Sequence, residues 1–510
     1  MDNKDTVLNT WAIAWVAHAL VTSPSHVLAG NIFHPERNTI AFSDPVIVPG
    51  ILSVPVRAAG ASPLLTYNLS LLVGYALSGW AMWWLAWRWT HHTGAALVAG
   101  SLFAFNAHSL VSMGHIQAIH AYGLPLLLVG LDGLCDPRSR GLAHGLLTGI
   151  ATALLALTSG YLAIFGVVCG LIVVAVRWRE LLTPPLRPLI VGAIAGGILM
   201  AILVVPVMRV YADVQRTHGF ARSLDLVASL SANGAAYLAT PARVHQSWSR
   251  SVYQAMEPRD SLFPGVVATL LALTGVALWQ GGFRDARLRV ALALTVVGLL
   301  LSFGPSTPFY SLFYWAVPFA SSVRAASRFG VLYLTGLALL AAFGVAALGR
   351  RWPGMALAAP TFALLAVTAE AFRGPVPYVP AGQTSPVYTT LASLPDGVVV
   401  EMPFWWRAMD VPRNANYMLA STSHWKPLLN GYSGFTPASY RQRADILWYF
   451  PFRAASRDVA RTKTEVMAYL IRSYSTVSVV RWTARQRPER SMRSRASRRW
   501  LPYSTRCITR

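Results

Sequence analysis

The stretch Gly160–Met208 reads GYLAIFGVVCGLIVVAVRWRELLTPPLRPLIVGAIAGGILMAILVVPVM. Two apolar runs, 160–177 and 188–208, flank a junction that carries Arg177, Arg179 and Arg187. A helix needs about 17–25 such residues to cross ~30 Å of hydrocarbon. The same pattern continues outward on both sides. Further apolar runs cover about 64–88, 95–111, 118–134, 141–158, 263–280, 288–303, 329–348 and 354–372. Every second junction is basic: Arg88, then Arg138 and Arg140, then the three above, then Arg284, Arg287 and Arg289, then Arg350 and Arg351. The short junctions between them, near Ser109–His115 and Thr158–Tyr161, hold no Lys or Arg. Cytoplasmic loops retain Lys and Arg, so the basic junctions are expected inside. The segment before residue 63, the loops 209–262 and 304–328, and everything from Arg373 onward are then expected outside.

This predicts an α-helical polytopic protein of the cytoplasmic (inner) membrane. About ten spans are visible, and 11 or more are expected in the complete protein. Composition agrees, with 54% apolar and only 12% charged residues in 510, against a usual charged share of ~25%. Three cysteines, Cys135, Cys169 and Cys507, are too scattered for a disulfide framework or a metal cluster. The net charge of +23 invites a nucleic-acid reading, but residues 481–510 hold ten Arg against one Glu, so +9 of it lies in the tail. Most of the rest is the arginine set of the junctions. No nucleic-acid partner is expected.

Four regions follow. Residues 1–62 form an outside first loop. In it Leu8, Trp11, Ala12, Trp15 and Ala19 recur at helical spacing, which predicts an amphipathic helix lying in the interface. Residues 63–372 form the membrane domain. Residues 373–480 form a small outside α/β domain, with PDGVVVEMPF (395–404) and STVSVV (475–480) as strands and 445–452 and 463–474 as helical pieces. The Arg-rich tail 481–510 reads as disordered or frameshifted. With no span before Asp5, a missing first span upstream is also expected. No GxGxxG follows a strand, so dinucleotide binding is unsupported.

The spans are nearly free of ionisable side chains, unlike those of ion-coupled transporters. Acids and arginines gather in the outside loops. That distribution suits chemistry at the outer surface on a lipid-borne phosphate, which needs a general base and cations for the leaving group. Asp5 heads the first helix, where it serves as a helix cap or as a base. Asp44 precedes Pro45, as a turn residue or a second acid. His18 falls on the polar side of the same helix. Arg324 and Arg328, four apart in VRAASRF (323–329), are expected on one helix face, as a phosphate clamp or as arginines reaching lipid headgroups. Tyr417, His424, Trp425, Asn430, Tyr432 and Phe435 mix aromatic, imidazole and amide groups. That mixture suits sugar rings, or else a core with a few buried polar links.

Six stretches carry a family resemblance: DTVLNTWAIAWVAHAL (5–20), NIFHPERNTIAFSDP (31–45), GHIQAIHAYGLPL (114–126), LFPG (262–265), VRAASRF (323–329) and NANYMLASTSHWKPLLNGYSGFTP (414–437). In order and topology the chain resembles the bacterial GT-C class of multi-spanning glycosyltransferases. That is the superfamily of protein O-mannosyltransferases and lipid A aminoarabinose transferases, and the chain looks nearest the YfhO-like branch. The resemblance implies transfer of a sugar from a polyprenyl-phosphate donor to a glycan, lipid or protein acceptor, with no cofactor and no divalent metal. Asp5 stands where the class has its catalytic carboxylate, with Asp44 as a second acid and Glu36 competing with it. His18, His115, Arg324, Arg328, Tyr417, His424, Trp425, Asn430 and Tyr432 are then candidates for substrate binding. The rival expectation is a non-catalytic polyprenol-lipid binder, a flippase or an accessory protein of cell-envelope assembly, with the same basic site and no base.

Overall fold

The computed structural model describes residues 4–220, 223–317, 320, 323–376, 385–447, 477–483 and 504–509. All ten apolar runs fold as helices. Six helices are long and apolar enough to cross a membrane: Pro63–Thr90, Thr93–Val111, Ile116–Cys135, Gly160–Leu181, Leu186–His218 and Ala326–Arg351. The chain is an α-helical polytopic membrane protein. The other four runs fold into shorter helices, Leu142–Thr158, Val266–Leu278, Ala286–Ser302 and Ala358–Ala371, of 17, 13, 17 and 14 residues.

The chain packs as two compact units. One comprises Pro45–Leu52 and Asn68–Tyr378 and is called the helical unit. Its centre is Gly330–Arg351, buried on almost every side and packed by Val266–Leu278, Ala286–Ser302 and Thr93–Ala104. Small residues let these helices approach. Gly145 and Gly149 face Gly192 and Gly196 on the neighbouring helix, and a Cβ added at Gly145 would collide with the Gly192 carbonyl. Two small-xxx-small motifs thus meet face to face, the usual means of tight packing where lipid supplies no hydrophobic drive.

The helices of this unit are polarised. His115 and Gln117, Tyr161, and Arg328 stand at the starts of Ile116–Cys135, Gly160–Leu181 and Gly330–Arg351. Asp132, Arg177 and Arg350 stand at the far ends of the same helices. Asp132 is the acid that the low charge of the spans hides. Its carboxylate gathers Arg177 Nη1 at 2.5 Å, Arg287 Nε and Nη2 at 3.0 Å each, and Arg88 Nε at 3.3 Å. Arg140 is buried and donates to the carbonyls of Glu180, Thr183 and Cys135. Several junction arginines are therefore internal ties at one end of the bundle.

The other unit comprises Met1–Asp44, Ser53–Tyr67 and Val379–Arg510 and is called the mixed unit. The first segment and the C-terminal part, expected as separate regions, share one core. β1 (Val398–Met402) is buried throughout and pairs in parallel with β2 (Val477–Thr483). β3 (Ser504–Thr509) pairs antiparallel with β2. Residues 484–503, and 448–476 with most of the predicted helical pieces, lie outside the described residues. On the other side of β1, Leu429 N–H donates to Val399 O at 2.9 Å. Beyond that, Asn31–His34 pairs with the same stretch, with Leu428 N–H to Asn31 O at 2.7 Å and Phe33 N–H to Asn430 O at 3.1 Å.

The first helix, Lys4–Thr22, corrects an expectation. Residues 8–14 are buried in an unbroken row, including Asn9 and Thr10. Those two satisfy themselves on the turn before, Asn9 Nδ2 on Asp5 O and Thr10 Oγ1 on Thr6 O. The helix is a core element packed on Ala415–Ser421, not an amphipathic helix with one apolar stripe. The spacing of its apolar residues is real, but its polar residues also turn inward.

Candidate functional sites

In the mixed unit the acids cluster around one short segment. Tyr432 donates its hydroxyl proton to Asp5 Oδ1 at 2.5 Å. Three residues on, Phe435 N–H donates to Phe42 O at 3.0 Å, two residues before the half-buried Asp44. The stretch 432–435 thus reaches the neighbourhoods of both proposed catalytic acids. Glu36 is held differently: Ser439 Oγ donates to it and Arg443 Nη2 stands 3.6 Å away. Burial, then the charge of Arg443, lowers the basicity of His34 nearby.

His18 and Trp425 stack face to face, centroids 4.3 Å apart and planes 9° off parallel, with Trp15 edge-on to Trp425 at 5.8 Å. Trp425 adopts the left-handed region, φ 55°. Burial, then Arg57, keeps the His18 imidazole below its ordinary pKa. Two residues of the predicted sugar surface, Asn430 and Tyr417, turn inward. Asn430 is fully buried; its Oδ1 accepts Glu401 N–H at 2.8 Å and its Nδ2 donates to Glu401 O at 3.0 Å. Tyr417 is buried and accepts from Trp405 Nε1 at 3.2 Å. His424 Nδ1 accepts Lys426 N–H at 3.0 Å, and its ring stacks beside Tyr388. Burial, then Lys426, pushes this imidazole down to about 4. Asn430 and Tyr417 are therefore core polar links, the second of the two readings that the sequence left open.

In the helical unit the arginine pair is arranged otherwise than expected. Arg324 precedes an extended residue, Ala325, and only Arg328 lies in the 3₁₀ turn Ala326–Phe329. They share no helix face, because the chain enters the following span through a 3₁₀ turn and not through an extra α-turn. Tyr161 links them instead. Its hydroxyl accepts the backbone N–H of Arg324 at 3.0 Å and of Ala325 at 2.9 Å. The Arg328 guanidinium sits 4.4 Å over its ring. Arg328, Tyr161, His115, Gln117, Ser112 and His108 line an open recess together with Leu162, Phe165 and Val331.

His108 was not expected in a site. Its Nδ1 lies 3.1 Å from Asp260 Oδ1, with side-chain exposures of 7% and 13%. Burial pushes the Asp260 carboxyl up, but His108, the Ser261 N–H and Arg328 together hold it below the usual carboxylate range. The partners are 152 residues apart, and neither stands in a recognisable motif. The one available hint was that His108 falls at the end of the apolar run 95–111, beside a junction expected outside, and Asp260 in the outside loop 209–262.

A second recess is lined by His245, Glu370, Phe105, Asn106 and Phe263. Glu370 caps the helix Val266–Leu278, accepting from Val266 N–H at 2.6 Å and Val267 N–H at 3.0 Å, and holds His245 Nε2 at 2.9 Å. A carboxylate at a helix N-terminus with this many donors is a structural cap.

No protein-family model and no curated protein matches the chain. Among solved structures it is similar to cryo-EM structures of arabinofuranosyltransferase AftD from mycobacteria, in two classes of one single-residue mutant. For class 2 the TM-score is 0.53 at 15% identity, covering 94% of this chain and 36% of that one. For class 1 it is 0.54 at 16% identity, covering 92% and 34%. The chain spans about a third of the length of AftD. At this identity the similarity establishes the fold alone, shared over nearly the whole chain with part of that arabinofuranosyltransferase.

Proposed function

We propose that the protein is a membrane glycosyltransferase of the GT-C kind. It moves a sugar from a polyprenyl-phosphate donor to an acceptor hydroxyl at the outer face of the cytoplasmic membrane. The observation that carries this reading is the shared fold, which runs over more than nine-tenths of the chain. The arginine asymmetry of the junctions supports the orientation.

Asp5 is the proposed general base. Its carboxylate takes the acceptor proton while the acceptor oxygen bonds to the anomeric carbon. The bond from that carbon to the phosphate oxygen breaks, and its electron pair leaves with the polyprenyl phosphate. Tyr432 orients the carboxylate through its 2.5 Å hydrogen bond. Asp44 is the alternative acid, and the stacked His18 and Trp425 offer an aromatic edge to a sugar ring.

The test is incubation of membranes containing the full-length protein with labelled polyprenyl-phosphate sugars. Transfer to an endogenous or added acceptor that is lost in Asp5→Asn supports the reading. Donor lipid that binds and never transfers under any acceptor condition points to a non-catalytic lipid-binding protein.

A further inference from the structure

We infer that His108 and Asp260 form a proton-accepting dyad in the helical unit, at which a hydroxyl of a sugar or glycan binds and gives up its proton. The dyad stands on its own geometry. That the hydroxyl belongs to the acceptor of a glycosyl transfer rests on the transfer reading, in which His108 is then a second destination, besides Asp5, for the acceptor's proton.

The carboxylate is held in place. Leu262 N–H donates to Ala236 O at 2.8 Å and Phe263 N–H to Ala239 O at 3.3 Å, which pins the chain just after Asp260. Ser261 N–H donates to Asp260 Oδ1 at 2.7 Å, and His108 Nδ1 donates to the same oxygen at 3.1 Å. Burial pushes the Asp260 carboxyl up, but His108, the Ser261 N–H and Arg328 outweigh it, so the group is an anion at neutral pH. An ionised carboxylate facing Nδ1 fixes the ring proton there. The neutral ring then carries its lone pair on Nε2, which makes no hydrogen bond among the described residues.

The ring is oriented as well. Asn106 caps the short helix Ala107–Val111 that carries it, its Oδ1 accepting Ser109 N–H at 2.9 Å. The His108 side chain is 7% exposed and lines the recess with Ser112, His115 and Tyr161. A proton arriving at Nε2 makes an imidazolium whose charge the Asp260 carboxylate compensates. An oriented base of this kind takes a proton from a bound hydroxyl. A dianionic phosphate has none to give.

The surroundings set how readily the proton is taken. Asp260 favours the imidazolium. Arg328 in the lining, and Arg373, which donates to Leu110 O on the same short helix, oppose it. His115 and Tyr161 in the lining and Tyr237 near Asp260 are the other titratable groups. The Tyr161 hydroxyl already accepts the backbone N–H groups of Arg324 and Ala325. In a transfer the hydroxyl proton passes to Nε2 as the hydroxyl oxygen bonds to the anomeric carbon. The bond from that carbon to the phosphate oxygen breaks, its electron pair leaves with the phosphate, and the imidazolium returns its proton to water.

The experiment treats the full-length protein in nanodiscs with diethyl pyrocarbonate, which acylates an unprotonated imidazole nitrogen, and maps the modified residues by mass spectrometry. His108 should react at a rate that climbs with pH as Nε2 loses its proton, and Asp260→Asn should slow it several-fold. Methyl glycosides should protect it, and equimolar sodium phosphate should not. His108 left unmodified while the exposed His26 and His91 react overturns the dyad. Reaction with no protection by any methyl glycoside, or protection by phosphate instead, overturns the hydroxyl site.

The transfer reading fails separately. With a labelled polyprenyl-phosphate sugar as donor, His108→Gln should lower transfer by roughly 10²–10⁴-fold and remove a low-pH limb of kcat/KM at about pH 6.5, where a carboxylate base would give one at about pH 4. Wild-type rate and limb in folded His108→Gln remove His108 from the reaction and leave the enzyme. Glycoside protection of His108 without any transfer leaves the dyad and its hydroxyl site standing and removes the enzyme.

Discussion

Tyr432 and Asp5 lie 427 residues apart and share a 2.5 Å hydrogen bond. The phenol donates and the carboxylate accepts, so the bond holds the acid in one rotamer. The first helix and the C-terminal part of the mixed unit depend on each other for this contact.

If Asp5 is the base, Asp5→Asn should lower transfer by roughly 10²–10⁴-fold with donor affinity nearly intact. Tyr432→Phe should keep activity but reduce it by about tenfold, the scale of one hydrogen bond to a charged group. Initial rates at saturating and limiting donor separate the two. Wild-type turnover in Asp5→Asn would move the base to Asp44 or Glu36.

Asp132 should be a stability residue. Its side chain is 1% exposed and holds Arg88, Arg177 and Arg287. Removing one partner of a buried charge cluster costs about 3–5 kcal/mol, since the others stay buried without compensation. Asp132→Ala should therefore lower the unfolding temperature or the yield of folded protein in detergent. Arg289→Ala, at an arginine outside the set Arg88, Arg177 and Arg287 that holds this carboxylate, should leave it nearly unchanged. A thermal scan of the two variants decides it.

Asn430→Ala should damage folding and not sugar recognition. Its amide satisfies both backbone groups of Glu401 on β1 from a fully buried position. Leaving two buried backbone groups unpaired costs about 1–3 kcal/mol each. The expected result is loss of thermal stability with donor KM unchanged in whatever folded protein remains.

His424 should make the mixed unit acid-sensitive. Its folded pKa is lowered from 6.5 to about 4 by burial and by Lys426. Between those values the unfolded chain binds a proton that the folded chain refuses, so stability rises with pH through this window. The contribution is fully present above pH 6.5 and is lost as pH falls toward 4. Protonation at Nδ1 would also displace the Lys426 N–H. His424→Phe should flatten the unfolding temperature between pH 7 and 5 relative to wild type; an unchanged slope would assign the acid response elsewhere.

The orientation is open to a direct check. Reporter fusions at residues 140 and 285 should read cytoplasmic, and one at 420 should read outside, from the arginine asymmetry. A cytoplasmic signal at 420 would place the mixed unit and Asp5 on the wrong side for an external donor.

The sequence by itself determined the membrane class and the helices, since apolar length and the placement of Arg are local properties that burial in lipid reads directly. All ten apolar runs are helical, and β1 and β2 fall where apolar β-branched residues cluster. Local pattern could not decide which way polar side chains turn. The first helix reads as amphipathic, yet Asn9 and Thr10 are buried in it, and Asn430, open between sugar ligand and core link, is a backbone clamp. Nor could it decide pairing across long separations. Asp132 gathers arginines from three other helices, His108 finds Asp260, and Tyr432 finds Asp5. Each of these bonds joins residues whose neighbours in the chain carry no trace of the partner. Only the packing of helices and strands brings a charge to the one place where it is neutralised, and that is a property of tertiary structure.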